Sequence, residues 1–361
     1  MIQRFHGRDL FNGKGGSTLK VAVVGSTGYG SADLIRILES HPYATIGALI
    51  TSSRAEEPLG RVFPHLSHLG YSLEEMNIER LSQEVEAVFF AAPPGVSSRW
   101  VPELVKQGLL CIDLAGDFRL DSDAYRDWYG REPAEEEWLE KAVYGLSEWV
   151  PHRIAEADLI ANPGCYPTAG LLLLLPLLKA KAVDEGPLFI DAKSGVSGAG
   201  RGLKLTSLFC EVNENLFPYK VGLHQHTPEI ERYASQEAGR RIRVSFTPQI
   251  VPMNRGILVT IYAAAAKGWN NQQLYDLLAD TYRDAPFIRV RPTGDWPRTK
   301  QVQGSNFCDI SLRRDDRTGA VVGMVTIDNL MKGAAGQAVQ NLNLRMGWPE
   351  TAGLKMGPQY P

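Results

Sequence analysis

The sequence predicts an α/β protein: a doubly wound parallel sheet, followed by an α+β region on a largely antiparallel mixed sheet. Three observations predict this. Residues 19–25 (LKVAVVG) are a β-branched apolar run ending on glycine, followed by apolar residues at helical spacing and a second apolar run, which together read as a βαβ unit. Short apolar runs then alternate with helical patterns as far as residue 161, as a sheet with helices on both faces requires. From residue 185 onward the runs lengthen, and two of them flank a polar glycine-containing turn, which reads as an antiparallel hairpin.

Each element follows from its residues. Residues 1–18 carry glycines, Ser17 and Thr18 without apolar periodicity or a signal-peptide core, and are expected to be a flexible leader. After the strand at 19–25, Leu34, Ile35, Ile37 and Leu38 mark a helix that His41-Pro42 ends, and a strand follows at 46–50. Runs at 87–92, 109–114 and 159–161 read as further buried strands. In the second region strands are expected at 188–192, 243–246, 256–263, 309–313 and 321–328, with helices at 270–283 and 334–345.

Composition narrows the class. The 361 residues are 44% hydrophobic and 22% charged, with 38 Lys and Arg against 41 Asp and Glu, a net charge of −3. That balance gives no footprint for nucleic acid or for a polybasic membrane surface. The longest apolar run, 169–178, contains Pro176 and falls well short of the roughly 20 residues of a membrane span. Four cysteines cannot staple so long a chain and show no metal-ligand spacing, so a reducing, cytoplasmic compartment and no metal are expected.

Gly25-Ser26-Thr27-Gly28-Tyr29-Gly30-Ser31 lies between a strand and a helix, where backbone N–H groups can receive a pyrophosphate, as in a Rossmann-type nucleotide site. The tip of the second strand, Thr51-Ser52-Ser53-Arg54, offers hydroxyls and a guanidinium where an NAD site usually carries an acid. Ser52 and Arg54 therefore favour NADP(H).

Asn162-Pro163-Gly164-Cys165-Tyr166-Pro167-Thr168 sets Cys165 in a tight turn at the start of a buried helix. There the helix N-terminus is expected to favour the thiolate, and backbone N–H groups can receive an oxyanion. Cys111, Cys210 and Cys308 read as bystanders. A proton-handling partner is expected from His224 or His226, in Gly222-Leu223-His224-Gln225-His226-Thr227-Pro228-Glu229-Ile230. Two segments can bind anions: 116–120, with Arg119, and the glycine-rich 193–201, with Ser197 and Arg201. A carboxylate such as Asp117 could equally occupy Arg119.

Seven motifs in order, GSTGYGSADL, DLAGDFRL, VYGLSEW, NPGCYPTA, DAKSGVSGAGR, HQHTPEI and DNLMKGAAGQAVQNLNL, resemble those of the N-acetyl-γ-glutamyl-phosphate reductases. The resemblance runs from about residue 19 to residue 354 and implies an NADP-dependent acyl-phosphate reductase of arginine biosynthesis. It implies Cys165 as nucleophile, His224 (preferred) or His226 as acid/base, and Arg119 at the substrate phosphate. Gly25 to Tyr29 would cradle the pyrophosphate, Ser52 and Arg54 face the 2′-phosphate, and Ala92-Pro93 lie along the dinucleotide. Ser194, Gly195 and Asn329 would meet the nicotinamide. The family shares its fold with aspartate-semialdehyde dehydrogenase, which implies a nucleotide domain of residues 19–165 plus 330–361 and a catalytic domain of 166–329. A homodimer or homotetramer is expected. Ser31, Pro94 and Gly116 depart from the family pattern.

One methylene separates this substrate from the aminoadipyl phosphate of lysine biosynthesis, a difference of only ~1–3 kcal/mol in a pocket, so the motifs do not separate the two. A non-catalytic NADP sensor would need neither Cys165 nor the histidines.

Overall fold

A computed structural model describes residues 18–184 and 186–360. Apart from Thr18, the expected leader lies outside the described residues.

The first sheet is parallel throughout. Its strands are β1 (Leu19–Val24), β2 (Ala44–Ile50), β3 (Ala87–Phe90), β4 (Leu110–Asp113), β5 (Val143–Tyr144) and β6 (Leu159–Ala161), in the order β2-β1-β3-β4-β6-β5. Successive side chains on a strand face opposite sides, and both sides are covered. Val21, Val23, Ala87, Phe89 and Ile112 pack with Leu34, Ile35 and Leu38 of the helix Tyr29–Glu39. Ala22, Val24, Val88, Phe90 and Cys111 pack on the other side, with Val101 and Leu104 of the helix Ser97–Lys106. This two-sided burial explains why these strands read as unbroken apolar runs.

The second sheet comprises β7 (Leu188–Gly195), β8 (Phe217–Pro218), β9 (Val244–Val251), β10 (Ile257–Ala264), β11 (Ile288–Val290), β12 (Cys308–Asp315) and β13 (Ala320–Ile327). The order is β11-β12-β13-β10-β7-β9-β8, mixed, with antiparallel pairs in the majority. The expected hairpin is β12–β13, antiparallel through Asp315↔Ala320.

The helix Cys165–Lys179 packs on β10 and β13 of the second sheet and on the helix His226–Ala238, and Leu171 to Leu175 are buried. Each buried leucine contributes about 1.5–3 kcal/mol. A Cβ at Gly323 of β13 would stand 2.3 Å from Leu173 Cδ2, so glycine there admits the leucine. Pro176 cannot donate to the Leu172 carbonyl one turn back, and the Tyr282 hydroxyl donates to it instead.

The chain returns to the first sheet at its end. Met331, Ala335, Ala338, Val339 and Leu342 bury against the cluster containing Val21 and Leu34. The last helix, expected as one piece from residue 334, begins instead with a π-helical turn, Met331–Ala335, before the α-helix Gly336–Arg345. Close approaches go with that widening: Cβ atoms at Gly333 and Gly336 would meet Cys165 Cβ at 2.8 Å and Asn306 Oδ1 at 2.3 Å.

Candidate active site

Cys165 is the first residue of its helix rather than part of a preceding turn, with Gly164 as the extended N-cap. Pro167 falls within the first turn, where a missing N–H costs nothing. The thiol is half-buried. Loss of solvent pushes it up to about 11, while the Tyr166 and Cys165 N–H groups and the Arg119 charge pull it down and Glu229 opposes them. The expected helix-terminus effect is therefore present, and burial outweighs it. Cys111 and Cys308 are fully buried and Cys210 is exposed.

The histidines separate clearly. A Cβ on Gly164 would stand 2.4 Å from His226 Nε2, so the His226 imidazole lies directly over the residue preceding the nucleophile. His224 sits one ring further out, 4.7 Å between centroids, and its Nδ1 accepts the His226 backbone N–H at 3.1 Å. The ring that lies over Gly164 is thus that of His226, whereas the motif favoured His224. Burial lowers the pKa of both rings, His224 to about 4 with Lys220 adding to the effect, and His226 well below its ordinary value with His224, Arg119 and Lys220 adding. Both are neutral at pH 7. His226 Nδ1 is buried and has no hydrogen-bond partner among the described residues.

Glu229, overlooked in the sequence, fixes this geometry. It lies three residues after His226 on the helix His226–Ala238, hence on the same face. Its Oε1 accepts Gly164 N–H at 2.8 Å and Tyr144 O–H at 2.8 Å, and its Oε2 meets Arg119 Nη1 at 3.4 Å. The signal was the acid within the HTPEI motif itself.

Arg119 is buried and engaged by protein. Its Nε donates to Asn162 O at 2.8 Å and its Nη2 to Leu114 O at 2.8 Å, beside the Glu229 pair. The carboxylate that occupies it is Glu229, not Asp117. Asp117 instead accepts from Gly95 N–H, Ser97 O–H and Ser98 N–H, capping the helix Ser97–Lys106. Asn341 of the last helix donates to Asn162 Oδ1 at 3.0 Å, bracing the NPGC turn from the other side.

At the nucleotide end, Gly25 has φ +87°, and a Cβ there would meet Ala91 O at 2.6 Å and Ala92 Cα at 2.8 Å. Only glycine lets the first turn come this close to the 91–93 segment. Ser26 is buried, its hydroxyl donating to Val23 O and Ile50 O, and thus holds the turn from beneath. Gly28 is the N-cap of the helix Tyr29–Glu39, whose first turn carries no acidic side chain, and Tyr29 is exposed. This backbone fits a pyrophosphate. The Ser31 hydroxyl donates back to Gly28 O at 2.8 Å, which accommodates that departure. Gly116, with φ +104°, sits where a Cβ would strike Tyr129 Oη at 2.5 Å. Ser52 and Arg54 are exposed at the tip of β2, Arg54 3.5 Å from Glu57.

Ser194, Gly195, Ser197 and Asn329 converge. Asn329 Nδ2 donates to Ser197 Oγ at 2.9 Å, its Oδ1 accepts Gly256 N–H at 2.8 Å, and Ser194 Oγ packs at Gly198. Arg201 does not join them. It donates to Thr27 O at 3.3 Å and Val62 O at 2.8 Å and lies over the Phe63 ring, so it clamps the nucleotide turn and not the cysteine. Among the described residues, no group of acidic, His or Cys side chains could hold a metal.

Parallel sheet, glycine turn and a cysteine–histidine pair at a helix start together define a semialdehyde dehydrogenase-type protein. The semialdehyde dehydrogenase NAD binding domain matches residues 20–157, and the semialdehyde dehydrogenase dimerisation domain matches residues 165–329. Solved structures share the fold: aspartate semialdehyde dehydrogenase II from Vibrio cholerae (TM-score 0.70, 21% identity, 91% of this chain and 98% of that one), and the enzyme with NADP from Candida albicans (TM-score 0.69, 18% identity, 91% and 98%). N-acetyl-gamma-glutamyl-phosphate reductases from Brevibacillus brevis and Geobacillus thermodenitrificans are each 50% identical over 345 residues, covering 95% of this chain and 100% of theirs. The chain belongs to the N-acetyl-γ-glutamyl-phosphate reductase family.

Proposed function

We propose that this protein reduces N-acetyl-γ-glutamyl phosphate to N-acetylglutamate 5-semialdehyde and phosphate with NADPH, through a thioester on Cys165. The observation that carries the reading is the His226 imidazole lying over Gly164, beside a cysteine at a helix start. The full-length match to reductases named for this reaction supports the substrate.

Neutral His226 accepts the Cys165 proton at Nε2 as the sulfur attacks the acyl carbon. The C–O bond to phosphate breaks and phosphate leaves. NADPH, when bound, supplies a hydride to the thioester carbonyl. The thiohemiacetal oxyanion so formed would collapse with cleavage of the C–S bond, releasing the aldehyde, and the Cys165 thiolate would take its proton back from His226. Glu229 and Arg119 act as positioning residues, holding Gly164 and the Asn162 carbonyl. Arg201 orders the pyrophosphate turn through Thr27. Ser52 and Arg54 hold the 2′-phosphate, Ala92-Pro93 flank the dinucleotide, and Ser194, Gly195 and Asn329 line the nicotinamide end.

The proposed domains are 19–165 with 330–361 for nucleotide, and 166–329 for catalysis and self-association. A homodimer or homotetramer is supported by the matched dimerisation domain and by exposed Phe189 and Tyr262, register partners on neighbouring strands. A cytoplasmic location fits; among the described residues no helix is long and apolar enough to cross a membrane.

The test is phosphate-dependent reduction of NADP by N-acetylglutamate semialdehyde, run beside its aminoadipate homologue and aspartate semialdehyde. The expected order places N-acetylglutamate semialdehyde first in kcat/KM. Preference for the longer homologue would reassign the substrate.

A further inference from the structure

Resting on that reading, the site must hold an anionic phosphate and a carboxylate, yet its nearest cation, Arg119, is buried and already engaged by two carbonyls and Glu229. Another cation stands on the histidine side. Lys220 follows Tyr219, whose hydroxyl donates to Tyr166 Oη at 3.3 Å next to the nucleophile. Its backbone has φ +46°, a left-handed conformation that costs a non-glycine residue about 1–2 kcal/mol. Its Nζ is held at Gln225, the residue between the two histidines, and its charge bears on both His224 and His226. The side chain is exposed, and Nζ donates to the neutral Gln225 Oε1 at 3.1 Å. Among the described residues no carboxylate forms an ion pair with it, whereas Arg232, Arg243 and Arg255 each have such a partner.

We infer that Lys220 is a substrate-recognition residue that pairs with an oxyanion of the bound substrate, its phosphate or its carboxylate, at the His224–His226 edge of the site. An ammonium with one neutral partner and open solvent can reach an incoming oxyanion without first breaking a salt bridge. His226 Nδ1 and Thr227 Oγ1, buried and unpartnered at the start of the adjacent helix, leave polar groups there for the same ligand to meet.

The experiment measures the oxidative direction, in which phosphate and semialdehyde are separate substrates, for wild type, Lys220→Met and Lys220→Arg. Lys220→Met is expected to raise KM for one of the two by about 10-fold or more, with kcat within about threefold. NADP affinity should be unchanged, and Lys220→Arg should recover most of the loss. A rise in phosphate KM identifies the phosphate as the partner; a rise in semialdehyde KM identifies the carboxylate. Unchanged KM values for both, or a fall confined to kcat, in a wild type that turns over would overturn the inference. A wild type inactive with N-acetylglutamate semialdehyde would overturn the proposed function instead.

Discussion

Glu229 Oε1 accepts the backbone N–H of Gly164 at 2.8 Å, tying the helix that carries His226 to the residue before Cys165. The same carboxylate neutralises buried Arg119, so the acid/base helix, the nucleophile turn and the Arg119 loop share one anchor. Removing its charge leaves Arg119 buried and unpaired, and breaking such a pair costs about 3–5 kcal/mol. Glu229→Gln is expected to lower the unfolding free energy by about 3–5 kcal/mol and to reduce kcat more than it changes KM. Chemical denaturation and steady-state kinetics on the same preparation check both.

Gly164→Ala tests the contact between imidazole and turn. The added methyl would sit 2.4 Å from His226 Nε2, so the ring must move away. A loss of about 100-fold or more in kcat is expected, because removing general acid–base assistance typically costs about 10²–10⁴-fold. Nucleotide affinity, set at the distant Gly25 turn, should stay within about twofold by fluorescence titration.

The state of the thiol is open to direct measurement. With burial pushing its pKa up to about 11, Cys165 is expected to rest as a thiol at neutral pH in the free protein. Alkylation of the Cys165 peptide by iodoacetamide should therefore rise about tenfold per pH unit from pH 7 to pH 10. Because the raised pKa favours the protonated form, reactivity grows with pH and is lost on acidification. A rate that is flat between pH 6 and pH 8 would mean a resting thiolate. Peptide-level detection is needed, since exposed Cys210 also reacts.

Arg54 is exposed at the tip of β2, where Glu57 at 3.5 Å is its one ion-pair partner among the described residues. Arg54→Ala should weaken NADP binding by about 10-fold, the loss of a charge-assisted phosphate contact, and leave NAD binding nearly unchanged. Isothermal titration with both nucleotides separates the two.

The parts legible in the sequence were those decided locally. The strand–glycine turn–helix at 19–39, the β12–β13 hairpin and Cys165 at a helix start depend on periodicity and turn chemistry within a few residues. What was not legible depends on distant packing. Choosing His226 over His224 requires knowing which ring the helix His226–Ala238 lays on Gly164. Arg119 finds its carboxylate 110 residues away, in Glu229, rather than two away in Asp117. Arg201 reaches Thr27 and Val62 across the two sheets, which no motif spacing encodes. The π turn at Met331–Ala335 likewise coincides with the close approach of Gly333 to Cys165, a contact invisible in a helical pattern.

The central claim is the covalent step at Cys165, and the most direct measurement is peptide mass spectrometry of the protein quenched after exposure to N-acetyl-γ-glutamyl phosphate without NADPH. An N-acetylglutamyl thioester on the peptide bearing Cys165, discharged when NADPH is added before quenching and missing from Cys165→Ser, is the predicted result. An active wild type that forms no such adduct, or a Cys165→Ser variant that still turns over, would contradict it.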